Sequence, residues 1–374
     1  MTGGGHVHRD DSIDAMRGLA IALVVAGHAI PLAGAAFHAG PGLAQVDQNY
    51  WVPAATELNL LFNLIYSFHM PLFAFVSGLV LWPPREEPFG GQMLHRVRGL
   101  LVPYLGWAAV FLLLRPVAFP YAAEPLRIEV FDLAVGSGGV WFSLWYLYAL
   151  FLSLLLVSLL ERLPFARWSV PASALAAVAW VGLGRHMPNV LDLAEVLWIY
   201  PFVVLGYVVA PVREHVRKHR VRVVLAGLAA FVPLFWSEYP VFVPTSEPVE
   251  RLGFFLRDAG VRGSFVPSLL VPYACAVVAV LVLYALYVGR DGRAIRRQAW
   301  LGRKTLGVYA ASEVVMWPLV THGVHSWPQL FALTLAGSLA TTALLEKTPW
   351  LGPLLLGGRA TRTAALPGGS DPLG

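Results

Sequence analysis

Read from its first residue, the chain alternates long apolar stretches with short polar ones. Ten apolar blocks stand out, near 18–36, 58–82, 100–118, 140–160, 169–184, 191–211, 221–237, 265–288, 305–320 and 329–345, the fifth and ninth being the shortest. Most have the length that an α-helix rising about 1.5 Å per residue needs to cross a hydrocarbon core about 30 Å thick. Hydrocarbon offers the backbone no hydrogen-bond partners, so a spanning segment must be a helix or part of a closed barrel. Runs such as YALFLSLLLVSLL lack the alternation of a barrel strand. The pattern predicts an all-α, polytopic membrane bundle of about ten transmembrane helices.

Composition strengthens that reading. The chain is 57% apolar and 13% charged, with a mean hydropathy of +0.64, whereas about a quarter of the residues of a soluble domain are charged. Lysine and arginine then set the orientation, because basic loops stay on the cytoplasmic side. With the N-terminus inside, that side collects 21 of the 27 basic residues, REHVRKHRVR at 213–222 among them, and the opposite side keeps six. Both termini therefore face the cytoplasm, in a multi-pass protein of the cytoplasmic membrane. The formal net charge of +5 follows from basic loops beside the anionic headgroups of the lipid bilayer and requires no nucleic acid.

Ala33-Gly34-Ala35 resembles a secretory cleavage site, but the polar lead before the first block is acidic as well as basic, and the block is read as a retained span. The single Cys275 excludes an intramolecular disulfide and argues against a thiolate metal site. No linker or repeat divides the membrane part. Residues 1–12 read as a flexible N-terminal segment, 13–348 as one bundle, and the Gly/Pro-rich 349–374 as a flexible C-terminal tail.

Candidate chemistry begins in the first block, RGLAIALVVAGHAI. Eleven helical residues make about three turns, so Arg17 and His28 fall within about 20° on one face, about 16 Å apart along the axis. Arg17 lies at the cytoplasmic boundary and His28 near mid-bilayer, where an ionisable group usually faces the bundle interior or a water-filled cavity. Asp14, three residues before Arg17, brings a carboxylate beside that guanidinium. The bland alternative is a structural histidine with an arginine anchor. Further polar groups at similar depth weigh against it: His69 and Ser77 in NLIYSFHMPLFAFVSG, where Pro71 bends the helix and releases the carbonyl near Ser67, and Glu313 in TLGVYAASEVVMWP. Glu313 is equally readable as structural or as a partner for a histidine. A neutral imidazole, with an unperturbed pKa of about 6.5, can take a proton from a hydroxyl. The sequence has no GxSxG, HExxH, P-loop or paired cysteines, the usual marks of acyl-serine, zinc and nucleotide-hydrolysing enzymes.

The stretches RDDSIDAMRGLAIALVVAGH, FHMPLFAFVSGLV, HRVRGLLVPYLGW, WFSLWYLYALF, YPFVVLGYVVA and LGRKTLGVY, in that order, resemble the acyltransferase 3 family of membrane proteins, particularly its fucose-acetylase-like branch. The sharpest element is Arg-x10-His, met by Arg17 and His28. The resemblance implies transfer of an acyl group, usually acetyl, from acyl-CoA to a hydroxyl of a sugar or glycoconjugate. Acetyl-CoA would be a co-substrate, with no permanently bound cofactor. It makes His28 the base, with Arg17 and Asp14 completing the first-helix site, and puts His69 and Ser77 in the cavity wall. Arg96, Arg98, Arg303 and Lys304 are then candidates for the donor phosphates. The chain departs from the family pattern at Gly99, where a second arginine of an RxxR pair is expected, and at Ala311-Ser312-Glu313, where a histidine is usual. Trp145, Tyr146 and Trp198 read equally as a sugar-stacking surface or as an interfacial aromatic belt. A carrier or flippase remains the rival from another class, and an inactive homologue kept for binding is a third reading. A homodimer is among the assemblies open to it.

The orientation has a direct test. In a Cys275→Ser background, an impermeant thiol reagent added to intact cells should label Glu250→Cys and leave Arg217→Cys unlabelled; the reverse pattern would invert the topology.

Overall fold

The computed structural model describes residues 10–39, 56–83, 87–118, 127, 130, 144–183, 191, 193–238 and 265–358, and every apolar block carries helix in it. The elements are α1 (Asp11–Ala39), α2 (Thr56–Tyr66), α3 (His69–Leu79), α4 (Phe89–Arg96), a π-turn (Val97–Leu101), α5 (Val102–Ala118), α6 (Trp145–Leu160), α7 (Ala166–Leu183) and α8 (Leu193–Val209). They continue with α9 (Arg213–Lys218), α10 (Arg220–Glu238), α11 (Phe265–Tyr287), α12 (Arg293–Arg303), α13 (Thr305–Thr321), α14 (Trp327–Lys347) and α15 (Leu351–Leu356). No strand occurs among the described residues.

The chain is an all-α, multi-pass membrane protein. Seven stretches among the described residues are long and apolar enough to cross a membrane, from Asp11–Ala33 to Trp327–Lys347, and the apolar Trp145–Leu160 is shorter. The two shortest sequence blocks became α7 and α13, which fall short of that measure. Helix α13 is 17 residues long. Its middle, from Gly307 to Glu313, is buried in protein, and a helix shielded from lipid can afford polar residues.

Helix α1 is the hub, touching α2, α3, α11, α12, α13 and α14. The closest contacts are made by glycine, since lipid tails are as apolar as leucine and helices associate through tight packing at small residues. At the α1–α12 crossing a Cβ on Gly18 would overlap the Gln298 carbonyl, and one on Gly302 the Asp14 carbonyl. The α3–α8 crossing repeats the device: Gly78 abuts the Val203 carbonyl and Gly206 the Phe75 carbonyl.

Acids on the first turn of α1 tie the basic loops to it. Asp10 pairs with Arg213 and Asp11 with Arg303. Ser12, assigned from sequence to the flexible N-terminal segment, is buried in the first turn of α1. At the other end the bundle extends beyond residue 348: α15 packs against α5, burying Leu355 and Leu356. Its apolar LGPLLL overrides the Gly/Pro signal around it.

The glycine crossings make a sharp comparison. Gly206→Val should destabilise by about 1–3 kcal/mol or prevent folding, whereas Gly90→Ala, with nothing within 4 Å of an added Cβ, should be neutral. Equal melting temperatures for Gly206→Val and wild type would contradict the crossing.

Candidate functional site

The site is assembled on α1. Asp14 Oδ1 accepts a hydrogen bond from Arg17 Nη1 at 3.2 Å, with the carboxylate nearly buried and the guanidinium side chain 20% exposed. Further up the helix, His28 Nδ1 faces Glu313 Oε1 on α13 at 3.8 Å. That exceeds hydrogen-bond length, and catalytic contacts often tighten only when substrate is bound. Protein leaves 16% of the His28 side-chain surface uncovered, and 10% of that of Glu313. Pro31 has no N–H to offer the Gly27 carbonyl, so α1 is loosened one residue before the histidine. Gly27 also makes room for Tyr66, whose Cε2 would lie 3.0 Å from a Cβ there.

Helices α2 and α3 supply the second wall. The second sequence block is interrupted at Ser67 and Phe68, where Pro71 deprives the Ser67 carbonyl of its helical donor. His69 Nδ1 fills the break by donating to the Ile65 carbonyl at 2.9 Å. A carbonyl only accepts, so Nδ1 carries the proton and the neutral ring keeps its lone pair on Nε2. Tyr66 meets this ring edge-on at 4.7 Å, and His69 and His28 are close enough to interact electrostatically.

Tyr146, at the start of α6, closes the arrangement. It stands beside Ser77 and within electrostatic range of Arg17, with its ring against Phe73 and Tyr309 at 5.9 and 6.1 Å. Ser77 Oγ itself donates to the Phe73 carbonyl. Trp145 turns toward Trp198, 6.0 Å between ring centroids. The structure therefore gathers Asp14, Arg17, His28, His69, Ser77, Tyr146 and Glu313 around one interior stripe of α1. Tyr309 and Tyr66 join them. Tyr309 lies four residues before Glu313 on the same helix face, a spacing that marks it in the sequence.

The basic candidates have a different arrangement. Arg96 donates to the Leu154 carbonyl at 2.5 Å, Arg303 pairs with Asp11 at 3.3 Å and Lys304 with Glu346 at 2.5 Å. These three fasten helices to one another. Arg98, in the π-turn, is exposed. A surface depression of about 540 Å³ is lined by Glu214, His215, Arg217 and Lys218, none of which carries the predicted chemistry.

An acyltransferase family model, that of the acyltransferase 3 domain, matches residues 10–346. The chain belongs to that family. The chain is also similar to Nodulation protein NolL of Mesorhizobium japonicum, 30% identical over 237 residues, and to Nodulation protein NolL of Sinorhizobium fredii, 29% identical over 212 residues. The matches cover 61% and 56% of this chain and 56% and 51% of the relatives, so the chain spans about half the length of the curated relatives it matches. No solved structure matches the chain. The gathered residues include an imidazole with a carboxylate facing it.

Glu313→Gln preserves shape and removes the carboxylate charge. Its kcat should fall at least about 100-fold, within the range for losing a positioned acid–base function, with the melting temperature unchanged. Wild-type kcat would remove Glu313 from the site.

Proposed function

We propose that this protein is an O-acyltransferase of the cytoplasmic membrane that moves an acetyl or short acyl group from acyl-CoA to a hydroxyl of a carbohydrate or glycoconjugate. The observation that carries the reading is the His28–Glu313 pairing, set part-way along a span whose cytoplasmic end bears Arg17. Glu313 on the Nδ1 side orients the ring and leaves Nε2 to face the acceptor, the logic by which a carboxylate fixes a catalytic imidazole.

The donor nucleotide stays on the cytoplasmic side by Arg98, and the pantetheine arm threads past Arg17 toward His28. An arm of that length covers the rise of about 16 Å between the two side chains along the helix. His28 Nε2 takes the acceptor hydroxyl proton as its oxygen attacks the thioester carbonyl carbon. The negative charge that develops on the carbonyl oxygen faces the Tyr146 phenol, while Arg17, a helix length away, guides the arm at the cytoplasmic end. Collapse breaks the carbon–sulfur bond, and the proton held by His28 passes to the departing thiolate. The products are the acyl ester and free CoA, and the histidine returns neutral. Glu313 stabilises the transient imidazolium, and the aromatic group of Tyr146, Trp145 and Trp198 offers faces on which a sugar ring can stack.

The test is purified protein with labelled acetyl-CoA and a panel of sugar acceptors. Wild type should yield labelled ester, and His28→Ala should lose about 10²- to 10⁴-fold in kcat. Transfer that survives His28→Ala would overturn the assignment of the base. Solute movement across proteoliposomes without ester formation would replace the enzyme with a carrier.

A further inference from the structure

We propose that the C-terminal segment from Leu351 to Gly357 is a positioning strap that holds the π-turn, and with it Arg98, in the orientation the donor phosphates require. The inference rests on the acyl-CoA reading above. The strap itself lies outside the matched family region, which ends at residue 346.

The π-turn has a sequence cause. Pro103 lacks an N–H, so the carbonyl of Gly99, four residues earlier, loses its α-helical donor. The register slips, and the Val102 N–H bonds the Val97 carbonyl instead. The strap covers the backbone exposed by that slip. Gly357 adopts a left-handed φ of 71°, and a Cβ on it would lie 3.0 Å from the Gly99 oxygen and 3.1 Å from the Arg98 oxygen. Both the conformation and the approach call for glycine.

Two further contacts seat it. Trp107 Nε1 on α5 donates to the Leu355 carbonyl at 2.9 Å in a buried setting. Leu355 fills the notch left by Gly106, where a Cβ would stand 2.9 Å from its Cδ2, and Leu356 fills the notch at Gly307 on α13, at 3.0 Å. The strap thus wedges between the helix that follows the π-turn and the helix that carries Glu313. A segment that merely covered apolar surface would need neither the left-handed glycine against the π-turn nor a tryptophan committed to its carbonyl.

The test compares Trp107→Phe, which keeps an aromatic ring but removes the hydrogen bond, with Gly357→Val, Arg98→Ala and the Gly357→Val/Arg98→Ala double variant. Each strap variant should raise the KM for acetyl-CoA about tenfold, the effect of losing one charge-assisted contact, with acceptor KM unchanged and faster hydrogen exchange at 97–101. The double variant should be no worse than Arg98→Ala alone, because the strap acts through that arginine. Additive penalties, an unchanged donor KM, or unchanged exchange at 97–101 would each overturn the proposal. If Gly357→Val does not fold, Trp107→Phe decides by the same measures. Should wild type transfer no acyl group, the acyl-CoA reading fails on its own, and exchange at 97–101 in Trp107→Phe still tests whether the strap holds the turn.

Discussion

A charged or hydrogen-bonding side chain inside a bilayer needs a partner, and the arrangement of this bundle follows from meeting that demand along a single helix. Helix α1 carries Asp14, Arg17 and His28 on one stripe, and the chain answers each: Asp14 with Arg17, and His28 with Glu313 from α13. A carboxylate and an imidazole isolated in hydrocarbon would each be costly; facing one another, each lowers the cost of the other, and they make up the pair proposed above as base and orienting group. The polar network that makes the interior affordable is thus the same one that makes it chemically useful.

The scaffold around that pair is built from residues that helices usually avoid. Prolines at 31, 71 and 103 each withdraw an N–H from the carbonyl four residues earlier, namely those of Gly27, Ser67 and Gly99. The first loosening lies beside His28, the second beside the His69 ring, which donates to the Ile65 carbonyl, and the third produces the π-turn that bears Arg98. Glycines do the complementary work. The Gly18–Gly302 and Gly78–Gly206 crossings bring backbones together without side chains between them, which fixes α12 on α1 and α8 on α3. Gly18 lies on α1 directly after Arg17, and Gly78 on α3 directly after Ser77, so both crossings adjoin candidate polar groups.

The fold was legible because hydrocarbon imposes a length and a composition on every span, and both survive in a linear string of residues. The first-helix motif was legible for the same reason, since one helical period relates Arg17 to His28. What the string does not carry is which distant helices touch. Glu313 read equally well as structural or as a histidine partner, because α1 and α13 lie far apart in the chain and only their packing decides. The basic residues show the opposite difficulty. Positive charge on cytoplasmic loops is demanded by topology alone, so it says little about a ligand, and the structure spends Arg303 and Lys304 on Asp11 and Glu346. Glycine and proline at the C-terminal end carry two signals alike, since Gly357 stands where its backbone approaches another and not where the chain is loose.

The proposed chemistry requires the donor's reactive carbon to arrive at His28. The most direct measurement is an electron cryo-microscopy structure of the protein with a non-hydrolysable acetyl-CoA analogue. The nucleotide should lie on the cytoplasmic side near Arg98 and the acyl carbonyl beside His28, with Glu313 drawn to hydrogen-bond distance of Nδ1. An analogue seated elsewhere, with its acyl end remote from that imidazole, would contradict that chemistry.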